Sequence, residues 1–266
     1  MDHLTRELAP ISTAGWQRID EEVRERLTVH LAARWVVDVA GPHGWQHSST
    51  NLGRVRSIGT GGDAVLRQRQ VLPLVEVRVP FTIDRQVLED ADRGAEDLEF
   101  DDLDRAARQA ALIENQAVFH GSAEAGISGI ADRSPHGPRP LGAEAGSYPG
   151  VVARAVDTLR QAGMKGPYAL AVGPEGYTRI VESTEHGGLL VLDHLRRILD
   201  GGKVVRALGV RGAVVASLSG DNFVLELGQD LSVGYSHHDR ESVSLYVEES
   251  FSFRVTEPDA AVVLTD

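Results

Sequence analysis

Cysteine is absent from all 266 residues, which excludes disulfides, thiolate zinc sites, iron–sulfur ligation and a cysteine nucleophile together. Positive charge is in deficit: 27 Lys and Arg against 39 Asp and Glu leave a formal net charge of −12. A surface of that sign repels phosphate and anionic lipid, so neither nucleic acid nor a membrane is expected as a partner. No stretch approaches the roughly 18 uncharged apolar residues of a membrane span. Met1-Asp2-His3-Leu4-Thr5-Arg6-Glu7 also lacks the basic-then-apolar order of an export signal. A cytoplasmic protein is the expectation. No Walker lysine follows a glycine cluster, and no internal repeat or low-complexity tract interrupts the chain.

What is present reads as an α+β chain of about two domains. Ser12-Thr13 caps a helix whose apolar residues Trp16, Ile19, Val23, Leu27 and Leu31 recur at helical steps. A β-rich run, 35–39, follows and stops at Gly41-Pro42. Between Leu52 and Val75 arginines alternate around Gly59-Thr60-Gly61-Gly62-Asp63, the pattern of a long β-hairpin with glycines at its tip. A second helix is expected over 101–120, with Asp101-Asp102 at its start and Gly121 as its stop. After a Pro-rich crossing near 134–140, helices at 151–161, 175–183 and 189–199 alternate with strands at 168–172 and 203–207. The remainder is mostly sheet, with runs at 223–227, 243–247, 251–255 and 261–264.

Candidate chemistry is sparse. Gly59, Gly61 and Ala64 have the spacing of a dinucleotide-binding turn, but a strand-like run follows where that motif needs a helix to face the pyrophosphate. Gly126-Ile127-Ser128-Gly129 lacks the spacing of a nucleophile elbow. Among ten histidines, His43 and His47 are four apart but flank Pro42 and Gly44, where helical spacing has no meaning; His186 and His194 flank a Gly-Gly break. No metal site is expected from these spacings. The acidic run Glu96, Asp97, Glu99, Asp101, Asp102 and Asp104 fits helix-start stabilisation better than acid–base catalysis. No convincing active site emerges.

A set of segments carries a family resemblance. They are Arg6-Glu7-Leu8-Ala9-Pro10 with Trp16, Val36-Val37-Asp38-Val39, Gly41-Pro42-His43-Gly44-Trp45, Val79-Pro80-Phe81-Thr82-Ile83, Gly166-Pro167-Tyr168, and Thr184-Glu185-His186-Gly187. Two more are 227–235, around Gly228-Gln229-Asp230-Leu231, and Glu249-Ser250-Phe251-Ser252-Phe253. In this order and spacing the chain resembles an encapsulin, the linocin-type shell protein of bacterial nanocompartments.

The resemblance implies the tailed-bacteriophage major-capsid-protein fold, with a peripheral domain, an axial domain and an extended β-hairpin loop. The boundaries it suggests are 1–47 for the N-terminal helix and start of the peripheral domain, 48–78 for the hairpin, 79–132 for the peripheral domain with its spine helix, 133–219 for the axial domain, and 220–266 for the peripheral C-terminal strands. The implied function is a non-enzymatic icosahedral shell. It would enclose a cargo enzyme, a dye-decolourising peroxidase or a ferritin-like protein, held by an apolar C-terminal targeting peptide, for oxidative-stress defence or iron storage. The resemblance further implies a cargo-peptide groove at Leu27, Leu31, Arg34, Asp38, Val39, Asp230 and Leu231. It also implies a five-fold pore loop at Thr184, Glu185, His186, Gly187, Gly188 and Leu189. Flavin-binding members carry an exposed aromatic where this chain has Asp84-Arg85-Gln86-Val87-Leu88, so no cofactor is expected. The rival readings are a prophage capsid protein and a metal-assisted hydrolase built on His186 and His194 with Glu185 and Asp193.

Overall fold

The first helix, α1 (Thr13–His30), starts at its expected cap, the Ser12 hydroxyl accepting from the Gly15 amide at 2.9 Å, and buries Ile19, Val23 and Leu27 along one stripe. The computed structural model describes residues 3–61, 63–142, 144–185 and 188–266. After α1 come β1 (Asp38–Ala40), β2 (Ser49–Gly61), β3 (Ala64–Pro73), β4 (Val75–Asp84), α2 (Arg85–Asp92), α3 (Asp101–His120), α4 (Ile130–Arg133), β5 (Arg139–Pro140) and α5 (Tyr148–Gln161). Then follow β6 (Tyr168–Val172), α6 (Pro174–Glu182), α7 (Val191–Ile198), β7 (Lys203–Arg206), β8 (Ala213–Ser217), β9 (Phe223–Leu227), β10 (Ser232–His238), β11 (Ser242–Val255) and β12 (Ala261–Thr265).

The first sheet is organised by β11. Strand β4 pairs antiparallel along one edge, while β10 and β9 occupy successive halves of the other, and β1 adds parallel to β9. Helices α1 and α3 lie over this sheet, with Leu103, Ala106, Ala107, Ala110 and Ala111 of α3 packed against Phe81, Ile83, Leu245 and Val247. The run of alanines lets the long helix approach closely, and Asp101, Asp102 and Asp104 lie in its first turn, where negative charge suits the helix dipole, as expected from the sequence.

The second sheet has the order β5-β12-β8-β6-β7. Its central strands β6 and β8 are buried on both faces. On β6, Tyr168, Leu170 and Val172 pack with α5 and α7, while Ala169 and Ala171 turn to the core shared with the first sheet.

The paired strands β2 and β3 stand apart from both sheets. Val55, Ile58, Val65, Leu66 and Val71 on this arm are each more than two-fifths exposed. A two-stranded ribbon of this length gains little stability alone. Gly59 and Gly61 lie within β2, which disposes of the dinucleotide-turn spacing.

Three elements differ from the sequence reading. The runs 243–247 and 251–255 form one 14-residue strand, because the polar residues between them find partners: Glu248 with Arg78, Glu249 with Arg34, and Ser250 with the Gln229 amide. Of the 35–39 run, Trp35 ends a 3-10 turn (Ala33–Trp35), the next two residues continue the bend, and only Asp38 and Val39 enter the three-residue β1. Strand β12 pairs with β8 in the second sheet, not with the strands of 220–255, because Val262 and Leu264 complete the core under α5.

Candidate functional site

The C-terminal end of α1 is set by a buried side chain of α3. Asn115 accepts from the Ala33 amide at 2.9 Å and donates to the His30 carbonyl at 2.9 Å and the Leu208 carbonyl at 3.1 Å. These bonds take up backbone groups that a helix end leaves unpaired, so the chain turns sharply and carries Arg34 back beneath the helix. The Arg34 guanidinium donates to Glu114 at 2.8 Å, Asp230 at 2.9 Å and Glu249 at 2.6 Å. Burial and the adjacent Glu114 push the Glu249 carboxyl well above the usual carboxylate range, and Arg34 only partly offsets this. The same carboxylates raise the already high pKa of Arg34 against the opposing effect of burial.

Above this cluster lies a groove of about 470 Å³. Val23, Leu27 and Leu31, one helical stripe at four-residue steps, form one wall, and Leu231 and Val233 the other. Leu4 closes one end of the apolar floor, while Arg6, Asp20, Arg24, Arg34 and Asp230 ring it with both signs of charge. Arg6 fixes the N-terminal segment there: it donates to Asp20 at 2.9 and 2.6 Å and to the Val233 carbonyl at 2.8 Å, and stacks over Trp16. Leu4 in turn receives the Tyr235 amide on its carbonyl at 2.9 Å.

The structure brings together five of the seven groove residues named from the sequence: Leu27, Leu31, Arg34, Asp230 and Leu231. Asp38 and Val39 are not among them. Asp38 accepts from the Asp221 amide at 2.7 Å and lines a separate cleft with Trp35 and Ser217, and Val39 sits on β1 opposite Leu225. Val23 and the 4–6 segment went unnamed. Val23 was available from the stripe that gave Leu27 and Leu31, whereas nothing local signals that residues 4–6 fold against β10.

A sequence model described as encapsulating protein for peroxidase matches residues 1–252. The chain is 45% identical to the type 1 encapsulin shell protein of Rhodospirillum rubrum, over 99% of this chain and 96% of that one. It is 40% identical to that of Rhodococcus erythropolis, over 99% and 100%. The chain belongs to the encapsulin family. Encapsulin relatives of this kind are structural shell proteins, so this chain is a capsid-like subunit that self-associates rather than an enzyme. The fold agrees: the virus-like particle of Pyrococcus furiosus superposes with a TM-score of 0.61 at 16% identity, over 94% of this chain and 98% of that one. The capsid of an empty GTA particle gives 0.56 at 16% identity, over 88% and 89%. These are tailed-phage-type capsid folds, as expected.

In this encapsulin the 184–189 segment joins α6 to α7. Thr184 bridges to Leu190, the Glu185 amide donates to the Leu189 carbonyl at 2.8 Å, and Gly188 returns to the Glu185 carbonyl at 3.0 Å. His186 and Gly187 lie outside the described residues. Glu185 accepts from His194 Nδ1 at 2.9 and 3.0 Å, a hydrogen bond that holds the loop to α7.

The sequence reading expects no metal site at His43 and His47, and they do lie outside any helix. Their ligand atoms and a carboxylate oxygen of Glu226 lie within 4.8 Å of one another, the one such grouping among the described residues. Spacing along the chain gave no sign of this, because Glu226 comes from β9 and the two histidines from the loop before β2. No helix among the described residues is long and apolar enough to cross a membrane.

Proposed function

We propose that the groove between α1 and the 230–233 segment is the luminal docking site for the apolar C-terminal peptide of a cargo protein, and that the 184–189 loop lines the shell's five-fold opening. The observation that carries the docking role is the stripe Val23, Leu27 and Leu31 set against Leu231 and Val233, an apolar trough with a charged rim. Such a trough accepts two or three apolar side chains, each contributing about 1.5–3 kcal/mol when fully buried. Ordering the peptide offsets part of that gain, so single sites bind weakly, and several tethered tails on one cargo oligomer restore the affinity. The mixed-sign rim, Arg6, Arg24, Asp20 and Asp230, sets the direction of the peptide more than its affinity.

The family's description favours a peroxidase over a ferritin-like protein as cargo, and enclosure of a peroxidase serves oxidative-stress defence in the cytoplasm. Co-expression with a fluorescent protein bearing a peroxidase's C-terminal tail tests the docking role. Leu31→Asp is expected to cut cargo per particle at least about tenfold, the effect of losing one buried leucine, while particle yield stays unchanged. Full loading in that variant removes the groove from the account.

A further inference from the structure

The loop from Gly41 to Ser48 ends where the long hairpin begins, and its backbone is locked onto the end of β9. Gly41 has a φ of 107°, and a Cβ there would lie 2.5 Å from the Leu227 carbonyl oxygen, so only glycine permits this approach. The His43 amide donates to that carbonyl at 3.0 Å, the Gly44 amide to the Gly228 carbonyl at 2.8 Å, and the His47 amide to the Gly44 carbonyl at 3.0 Å. These bonds hold the backbone that carries both imidazoles beside the end of β9, where Glu226 lies. His47 Nε2 sits 2.8 Å from Glu226 Oε1, and the His43 and His47 rings are 4.8 Å apart at a 47° tilt.

From this juxtaposition we propose that His43, His47 and Glu226 bind a zinc ion at the root of the hairpin, with water in the fourth position. Two imidazoles and one carboxylate are a recurrent donor set for tetrahedral zinc. Zinc bonds near 2.1 Å put neighbouring ligand atoms roughly 3.4 Å apart. The three donors already lie within 4.8 Å of one another, so a side-chain adjustment on the order of 1 Å closes the site. His43 is exposed and free to make it, while His47 and Glu226 are half-buried on firm backbone. The ion would tie the strand that carries Glu226, part of the first sheet, to the two residues that lead into β2. Its role is therefore to fix the angle at which the arm leaves the subunit, a role separate from cargo docking.

Untagged protein, stripped with EDTA, dialysed, loaded with zinc and desalted, is the material for the test, with zinc per chain read by mass spectrometry. About one zinc per chain is expected in the parent protein. His43→Gln, at an exposed position, and Glu226→Gln are each expected to weaken zinc binding at least about tenfold. Cobalt substitution should give the intense visible bands of a four-coordinate site, lost in the same variants. Zinc is also expected to slow amide exchange over residues 41–51. Stoichiometry near zero, or unchanged zinc retention in the double variant His43→Gln, His47→Gln, overturns the site. Equal exchange with and without zinc overturns the clamp. Should Glu226→Gln fail to fold, His43→Gln alone decides the question.

Discussion

Arg34 is the residue on which the groove's floor depends. It arrives from the turn after α1 and meets carboxylates from α3, from β11 and from the segment before β10, so one side chain ties that turn to three elements. Two of those carboxylates, Glu114 and Glu249, are buried, and a single guanidinium does not balance them both. The imbalance favours the neutral form of Glu249, its pKa raised by burial first and by Glu114 second. The sign of the resulting pH dependence follows. Below the unfolded value of about 4.3 both states hold the proton, and Glu249 costs nothing. As pH rises past it the unfolded chain releases the proton while the folded one retains it, so this residue's contribution to stability is lost through the range up to its folded pKa. Glu249→Gln keeps an acceptor for Arg34 and has no proton to lose. Its unfolding temperature relative to the parent, at one fixed scan rate, is expected to rise as the pH climbs above the unfolded value of about 4.3, by at most about 1.4 kcal/mol per pH unit in free energy. A gap between the two proteins that stays constant or narrows as the pH rises contradicts a raised Glu249 pKa.

The hairpin of β2 and β3 is the element whose sequence makes least sense in an isolated subunit. Val55, Ile58, Val65 and Leu66 face solvent, and the arginines alternate along both strands without carboxylate partners directly across from them: Val55 faces Arg69, Arg56 faces Gln68 and Ser57 faces Arg67. Each exposed apolar side chain is worth about 1.5–3 kcal/mol when a neighbour covers it. Ile58→Asp with Val65→Asp is therefore expected to leave the subunit's circular dichroism unchanged and to lower the assembled fraction more than about tenfold in size-exclusion chromatography. Normal particle yield from that variant means the arm contributes nothing to assembly.

Elements with local signals were legible before any coordinates. Helix α3 runs from Asp101 to His120 and strand β6 from Tyr168 to Val172, as their caps and apolar runs imply. What the sequence hid depends on distant partners. Glu248 and Glu249 read as a break in β11 because their arginine partners, Arg78 and Arg34, lie more than 150 residues away. Asn115, which turns the chain after α1, acts across 82 residues. For the same reason residue patterning reaches only the α1 side of the groove, Asp230 and Leu231 coming from the family resemblance alone, and the convergence of Glu226 with His43 and His47 is not legible at all.

At the scale of the whole molecule, two sheets share one apolar core that includes Ala117, Val118 and Phe119 of α3, Ala169 and Ala171 of β6, and Phe251 and Phe253 of β11. That shared core makes the sheets one stiff plate, from which the hairpin arm projects. A closed shell needs such a geometry: a rigid subunit whose heterologous contacts repeat around symmetry axes, with arms that bury further area on neighbours. A net charge of −12 on every copy keeps the assembled particles mutually repulsive and soluble. The central claim, that this chain builds a capsid-like shell by itself, is tested most directly by negative-stain electron microscopy of the protein expressed without cargo and eluted from a sizing column. The account predicts hollow, closed particles of uniform diameter eluting far above any small oligomer. A monomer or dimer that persists across salt and pH would contradict it.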